Sequence, residues 1–208
     1  DGDRLALAHG ELGLSHRIVD TGCSCERRTR DCPFWGPICR EMEGLEPLNR
    51  EAGFSLANLK LGLRLLLGAV PEDRSRLAVE YRRLAGMVCR RVEQLAPEAQ
   101  HMADVTKSVR HLNALRSGAR WDIRVIHMIR DPLDNIASFC SRKHTFFPAL
   151  LSWIGSNVAM RLYLRKAGLP YVTISYTDFC RQTGRTFDRI NALLGTTLSA
   201  ETYVDRVN

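Results

Sequence analysis

The chain has 208 residues, 45% hydrophobic and 25% charged, with a formal net charge of +7. That is enough chain for one domain with a full core. No run of about eighteen apolar residues occurs, so no helical membrane span is visible, and the basic balance suits an anionic ligand. It suits nucleic acid equally, but the aromatic and basic residues are not interleaved as in single-strand binders, so no nucleic-acid partner is expected.

Taken in order, residues 1–20 hold a short strand or turn around HGEL (His9 to Leu12) and then SHRIVD. Residues 21–46 read as an irregular, cysteine-bearing loop, punctuated by Pro33 and Pro37, with Pro47 just beyond. Residues 48–69 suggest a helix, with kinks near Gly53 or Gly62. The clearest helix spans 72–96. Leu77, Tyr81, Leu84, Val88, Val92 and Leu95 recur at three- and four-residue steps, Pro71 opens it and Pro97 closes it. His101 to Lys107, HMADVTK, is a short strand, and a helix with Val109, Leu112 and Leu115 follows.

Arg124 to Ser141, RVIHMIRDPLDNIASFCS, is the most informative stretch. It reads as a buried strand with Val125, Ile126, Met128 and Ile129 as its apolar core. Next come an Arg130-Asp131-Pro132 corner and a helix carrying Ser138. Asp131 is a natural N-cap and Pro132 a natural first helical residue. The two strands would flank one crossover helix, with Lys107 and Arg130 converging outside their C-terminal ends, where open α/β sheets bind ligands. The plainer alternative is an ordinary junction with Arg130 in a salt bridge. A helix over 145–167, a strand over 170–175, and a helix over 182–194 ended by Gly195 complete an α/β layer fold with a parallel sheet.

Cys23, Cys25, Cys32 and Cys39 give C-x-C-x6-C-x6-C. Zinc, disulfides and free thiols all stay open, the spacing lacking the usual C-x2-C hooks of a zinc site. Cys89, Cys140 and Cys180 fall in helical contexts and read as plain buried thiols. His127 reads as a satisfied strand histidine, and Trp153 with Asn157 as core and cap. Tyr176 and Asp178 read as the turn after the last strand. Arg142, Lys143 and His144 follow the Ser138 helix as a basic patch or cleft wall.

These segments resemble the sulfotransferases that use 3′-phosphoadenosine 5′-phosphosulfate (PAPS), in particular the bacterial branch. The carrying residues are HGEL, CSCERRTRDCPFW (Cys23 to Trp35), DVTKS (Asp104 to Ser108), RVIHMIRDPLDNIASF (Arg124 to Phe139) and YTDF (Tyr176 to Phe179). They run in the family's order and cover most of the chain. The resemblance implies a P-loop-NTPase-like three-layer α/β fold, its central parallel sheet flanked by helices. One sulfotransferase-like domain would span 1–208, with 21–46 as a loop insertion. Arg130 and Ser138 would hold the nucleotide's 3′-phosphate, chemistry that a bidentate guanidinium and a hydroxyl can do. No Gly/Ser/Thr-rich phosphate loop precedes HGEL, so the expectation is a domain truncated at both ends.

Sulfuryl transfer needs a base for the acceptor proton and cations for the transferring and leaving oxygens. Glu11 matches the family's base, His9 competes with it, and Lys107 matches the lysine that stabilises developing charge. The donor is PAPS, the product 3′,5′-adenosine bisphosphate (PAP), and the acceptor a small molecule, glycan or peptide, expected in the cytoplasm. The alternatives are a non-catalytic nucleotide-binding module of this fold and a P-loop-type small-molecule phosphotransferase.

Overall fold

The computed structural model describes residues 5–8 (as backbone), 23, 25–42, 64–65, 74–105, 108–118, 121–141, 145–199 and 201. The chain divides into two compact units, one within Arg4–Ser55 and Glu72–Ala119, the other within Asp1–Asp3, Leu56–Pro71 and Arg120–Asn208. Each contains a pair of parallel strands with helices, so the chain is α/β.

In the first unit, β1 (Leu5–Ala8) pairs in parallel with β2 (His101–Asp104), Leu5 opposite His101 and Ala8 opposite Asp104. A 3₁₀ turn at Thr29–Asp31 leads to α1 (Trp35–Glu41), a helix where an irregular loop was expected. Pro37 is tolerated there because the first helical turn donates no intrahelical bonds. The long helix α2 (Arg76–Leu95) starts at Ser75, whose hydroxyl accepts from the Ala78 amide at 3.2 Å, rather than at Pro71. The middle of its stripe is buried, as the periodicity requires. Leu84, Met87 and Val88 are buried with Ile38 of α1, and Phe34, Trp35, Met42, Tyr81, Val92 and Met102 pack around them. Each such aliphatic side chain contributes about 1.5–3 kcal/mol by burial. Leu95, the last of the stripe, is exposed.

Helix α3 (Val109–Arg116) is capped by Ser108, which accepts from the His111 amide at 3.3 Å. Its fully buried residues are His111, Asn113 and Ala114, whereas the expected Val109, Leu112 and Leu115 are only half-buried. The reason is a polar contact: His111 Nε2 lies 2.7 Å from Asp104 Oδ2 at the end of β2, and its ring meets Tyr81 edge-on. Arg82 of α2 donates to the Ala114 carbonyl at 3.2 Å and ties the two helices.

In the second unit, β3 (Val125–Ile129) pairs in parallel with β4 (Tyr171–Ser175), Val125 opposite Tyr171 and Ile129 opposite Ser175. Between them run α4 (Pro132–Cys140) and the 22-residue α5 (Phe146–Ala167), closed by Gly168 at φ 66°. Parallel strands need such a crossover. Among the described residues β2 pairs with β1 and β3 with β4, so α3 does not join two strands of one recorded ladder as expected. Strand β4 runs directly into α6 (Tyr176–Arg181), and α7 (Thr183–Leu194) ends at Gly195, φ 72°. Tyr163, Leu164 and Ile174 are essentially inaccessible. Arg189 donates to the Thr173 carbonyl at 2.8 Å, holding α7 to β4.

Strand β3 departs from its expected apolar core. His127 is 8% exposed while Ile126 and Met128 are 40% and 44% exposed. Side chains alternate along a strand, so His127 shares a face with Val125 and Ile129, and that face is the buried one.

Candidate functional site

At the C-terminal end of β3 the chain turns through Arg130, Asp131 and Pro132 into α4. Asp131 Oδ1 accepts from the Leu133 amide at 2.8 Å and the Asp134 amide at 3.4 Å, and Pro132 occupies the first turn, as the sequence required. This corner borders a cleft of roughly 290 Å³. Ile129, Arg130 and the corner form one side, α5 supplies Trp153 and Arg161, and the end of β4 with α6 supplies Thr173, Ser175 and Thr177. The cleft therefore lies where two parallel strands end, with two guanidinium groups, hydroxyls and one indole around it.

Arg130 forms the salt bridge of the plain reading, but a weak one. Its Nε is 3.8 Å from Asp134 Oδ2, and both side chains are about half exposed (48% and 61%). Its guanidinium also lies over the Tyr176 ring, 5.7 Å from the centroid, a cation–π contact that orients it. Ser138 lies two turns along α4, half-buried, outside the cleft lining; its carbonyl accepts from the Ser141 hydroxyl at 2.8 Å. His9, Glu11 and Lys107 lie outside the described residues, as do Arg142, Lys143 and His144.

Trp153 and Arg161 were not recognised as site residues in the sequence. Trp153 lines the cleft rather than a closed core, and Asn157 donates to its carbonyl at 2.8 Å. Tyr176 and Asp178 open a helix rather than a turn, with Ser175 accepting from the Asp178 amide at 3.4 Å. On β3, His127 is not fully satisfied: its Nδ1 is buried without a partner. Burial pushes its pKa below the ordinary value; a hydrogen bond from the ring to Asn157 opposes this and the Arg161 charge adds to it. The ring is thus held towards its neutral form.

In the other unit, the sulfur atoms of Cys23, Cys25 and Cys32 lie within 4.8 Å of one another, with Cys23 and Cys32 at 3.5 Å. Cys39 is buried in α1 and does not join them. A backbone bond from Arg27 pulls the Cys25 pKa down, but Cys23, desolvation and Cys32 together outweigh it, leaving the thiol above its ordinary value. Burial pushes the half-buried Cys89 thiol up, and Cys140 is also half-buried. Cys180 is exposed, not buried as its helical setting suggested. Among the described residues no helix is long and apolar enough to cross a membrane.

Set against family models, curated proteins and solved structures, the chain matches none of them.

Proposed function

We propose that the protein is a PAPS-dependent sulfotransferase with a P-loop-NTPase-like three-layer fold, acting in the cytoplasm on a hydroxyl or amine of a small-molecule, glycan or peptide acceptor. The observation that carries this reading is Arg130. It stands at the end of a parallel strand, beside an N-capped helix, on the lip of a cleft that holds a second cation, Arg161. Phosphate groups are bound by such forked donors, and open α/β sheets bind nucleotides at these strand ends. Ser175 and Thr177 add hydroxyl donors, and Trp153 offers an aromatic face for a purine. The ordered motifs from HGEL to YTDF supply the rest of the argument.

In this reading Arg130 holds the 3′-phosphate of the donor; Ser138, the second residue that the resemblance implies, lies on α4 outside the cleft lining. An acceptor oxygen or nitrogen attacks sulfur in line, Glu11 (or His9) takes its proton, and PAP leaves while Lys107 stabilises the developing charge. The test is a thermal-shift titration of the intact protein with PAP and with 5′-AMP. Stabilisation by the bisphosphate alone, lost in Arg130→Ala, is the expected result. No preference between the two nucleotides would overturn the reading. Turnover separates an enzyme from a non-catalytic module: Glu11→Gln should collapse it while PAP affinity stays.

A further inference from the structure

The loop before α1 is held by its own backbone. The Cys23 amide donates to the Arg27 carbonyl at 2.8 Å, and the Glu26 amide donates back to the Cys23 carbonyl at 2.9 Å. Glu26 sits at φ 66°, an uncommon left-handed conformation for a side-chain-bearing residue, which tightens this hairpin of chain around Cys25. The Cys32 amide closes the following 3₁₀ turn on the Thr29 carbonyl at 3.2 Å, and the Gly36 amide reaches back to the Cys32 carbonyl at 2.7 Å. Gly36 is required there, since a Cβ would meet the Arg30 carbonyl oxygen at 2.5 Å. Arg91 of α2 donates to the Pro33 carbonyl and anchors the loop to the long helix. Three thiols from two turns are thereby aimed at one point by structure that none of them provides.

We propose that Cys23, Cys25 and Cys32 form a three-thiolate zinc site, with Cys39 outside it. Zn–S bonds of about 2.3 Å in a tetrahedral arrangement put ligand sulfurs about 3.8 Å apart. Cys23 and Cys32, at 3.5 Å, already stand near that separation. The widest of the three sulfur separations, at most 4.8 Å, needs to close by only about 1 Å, within the reach of small side-chain rotations. A Cys23–Cys32 disulfide would instead require the sulfurs to approach to about 2.05 Å. Soft thiolate ligands select zinc over magnesium or calcium. Binding releases the three thiol protons to solvent and leaves a net charge of minus one on the site. Arg27, Arg28 and Arg30, exposed in the same loop, offset that charge. Among the described residues no fourth Cys, His, Asp or Glu joins the set, so water or a group beyond them completes the tetrahedron.

The test uses the full chain, purified under reducing conditions without chelator and dialysed, with zinc measured by elemental analysis and thiols by titration. One zinc per chain is expected, with three of the seven cysteines reacting only after a chelator is added. Cys25→Ser should lose the metal while keeping its circular dichroism, because Cys25 is exposed and packs no core. Cys39→Ser should keep the metal, and cobalt in place of zinc should give the intense visible bands of a tetrahedral thiolate site. Folded protein without zinc overturns the proposal. So does metal that washes out on dialysis, loss of metal in Cys39→Ser with the fold retained, or a titration two thiols short, which would mean a disulfide.

Discussion

The thiol loop and the β3–β4 cleft concentrate chemistry in opposite ways. In the loop the reactive groups are neighbours in sequence, and short backbone bonds aim them. In the cleft they come from a strand end, two points on a long helix, and a second strand with the helix after it; tertiary packing alone brings them together. A contiguous site can be damaged by one local change. A dispersed one depends on the core beneath it, so the two regions should fail differently.

The strongest way to break that contrast is to empty each core. Leu84→Ala beneath the loop and Ile174→Ala in β4 should each cost about 2–5 kcal/mol. If the units are independent, Leu84→Ala lowers the melting seen by Trp35 fluorescence and Ile174→Ala that seen by Trp153, each in a single-tryptophan background. Equal shifts at both probes would make the chain one cooperative domain. Next in size, Gly36→Ala should cost about 1–3 kcal/mol by forcing the loop from α1. In chemical denaturation it should loosen the loop and leave the Trp153 transition of the cleft unit alone. Asp131→Ala removes the cap of α4 and should cost about 1 kcal/mol, blunting the bisphosphate response with it.

A pH scan sharpens the contrast further. His127 has its pKa lowered in the folded chain, so the unfolded chain binds the proton more readily. The stability it contributes is complete above the ordinary histidine value of 6.5 and is lost as pH falls from there through the lowered folded value. His127→Gln should flatten that acid limb in cleft-unit melting curves. The smallest effect on stability belongs to Arg130→Ala, at about 0–1 kcal/mol for an exposed ion pair, although it should remove the bisphosphate response.

What the sequence disclosed follows the same division. The Tyr81-to-Val92 part of the α2 stripe, the Asp131-Pro132 corner and the Gly195 cap are local signals, and each appears in the structure. Helix α1 was hidden because Pro33 and Pro37 read as loop punctuation. Helix α6 was hidden because YTDF followed a strand without a break. Arg130 was legible because its corner fixes its place. Trp153 and Arg161 were not, since α5 is apolar almost all round and no stripe marks its inner face. Tyr163 and Leu164 are buried there while Phe147 and Leu151 stand exposed. His127 was read as a satisfied strand histidine, but that its Nδ1 is buried without a partner was not legible, because the groups around it come from other elements.

The two strand registers also carry a consequence in time. Leu5 must find His101, whereas Val125 must find Tyr171, and the first search closes about twice the length of chain. Each doubling of a closed loop adds about 0.6 kcal/mol of entropy to the encounter. The β3–β4 ladder should therefore assemble first on refolding. Pulse-labelled hydrogen exchange would then find the β3–β4 ladder amides protected while those of β1 and β2 still exchange, so that the cleft-bearing half of the protein exists before the thiol-bearing half has closed.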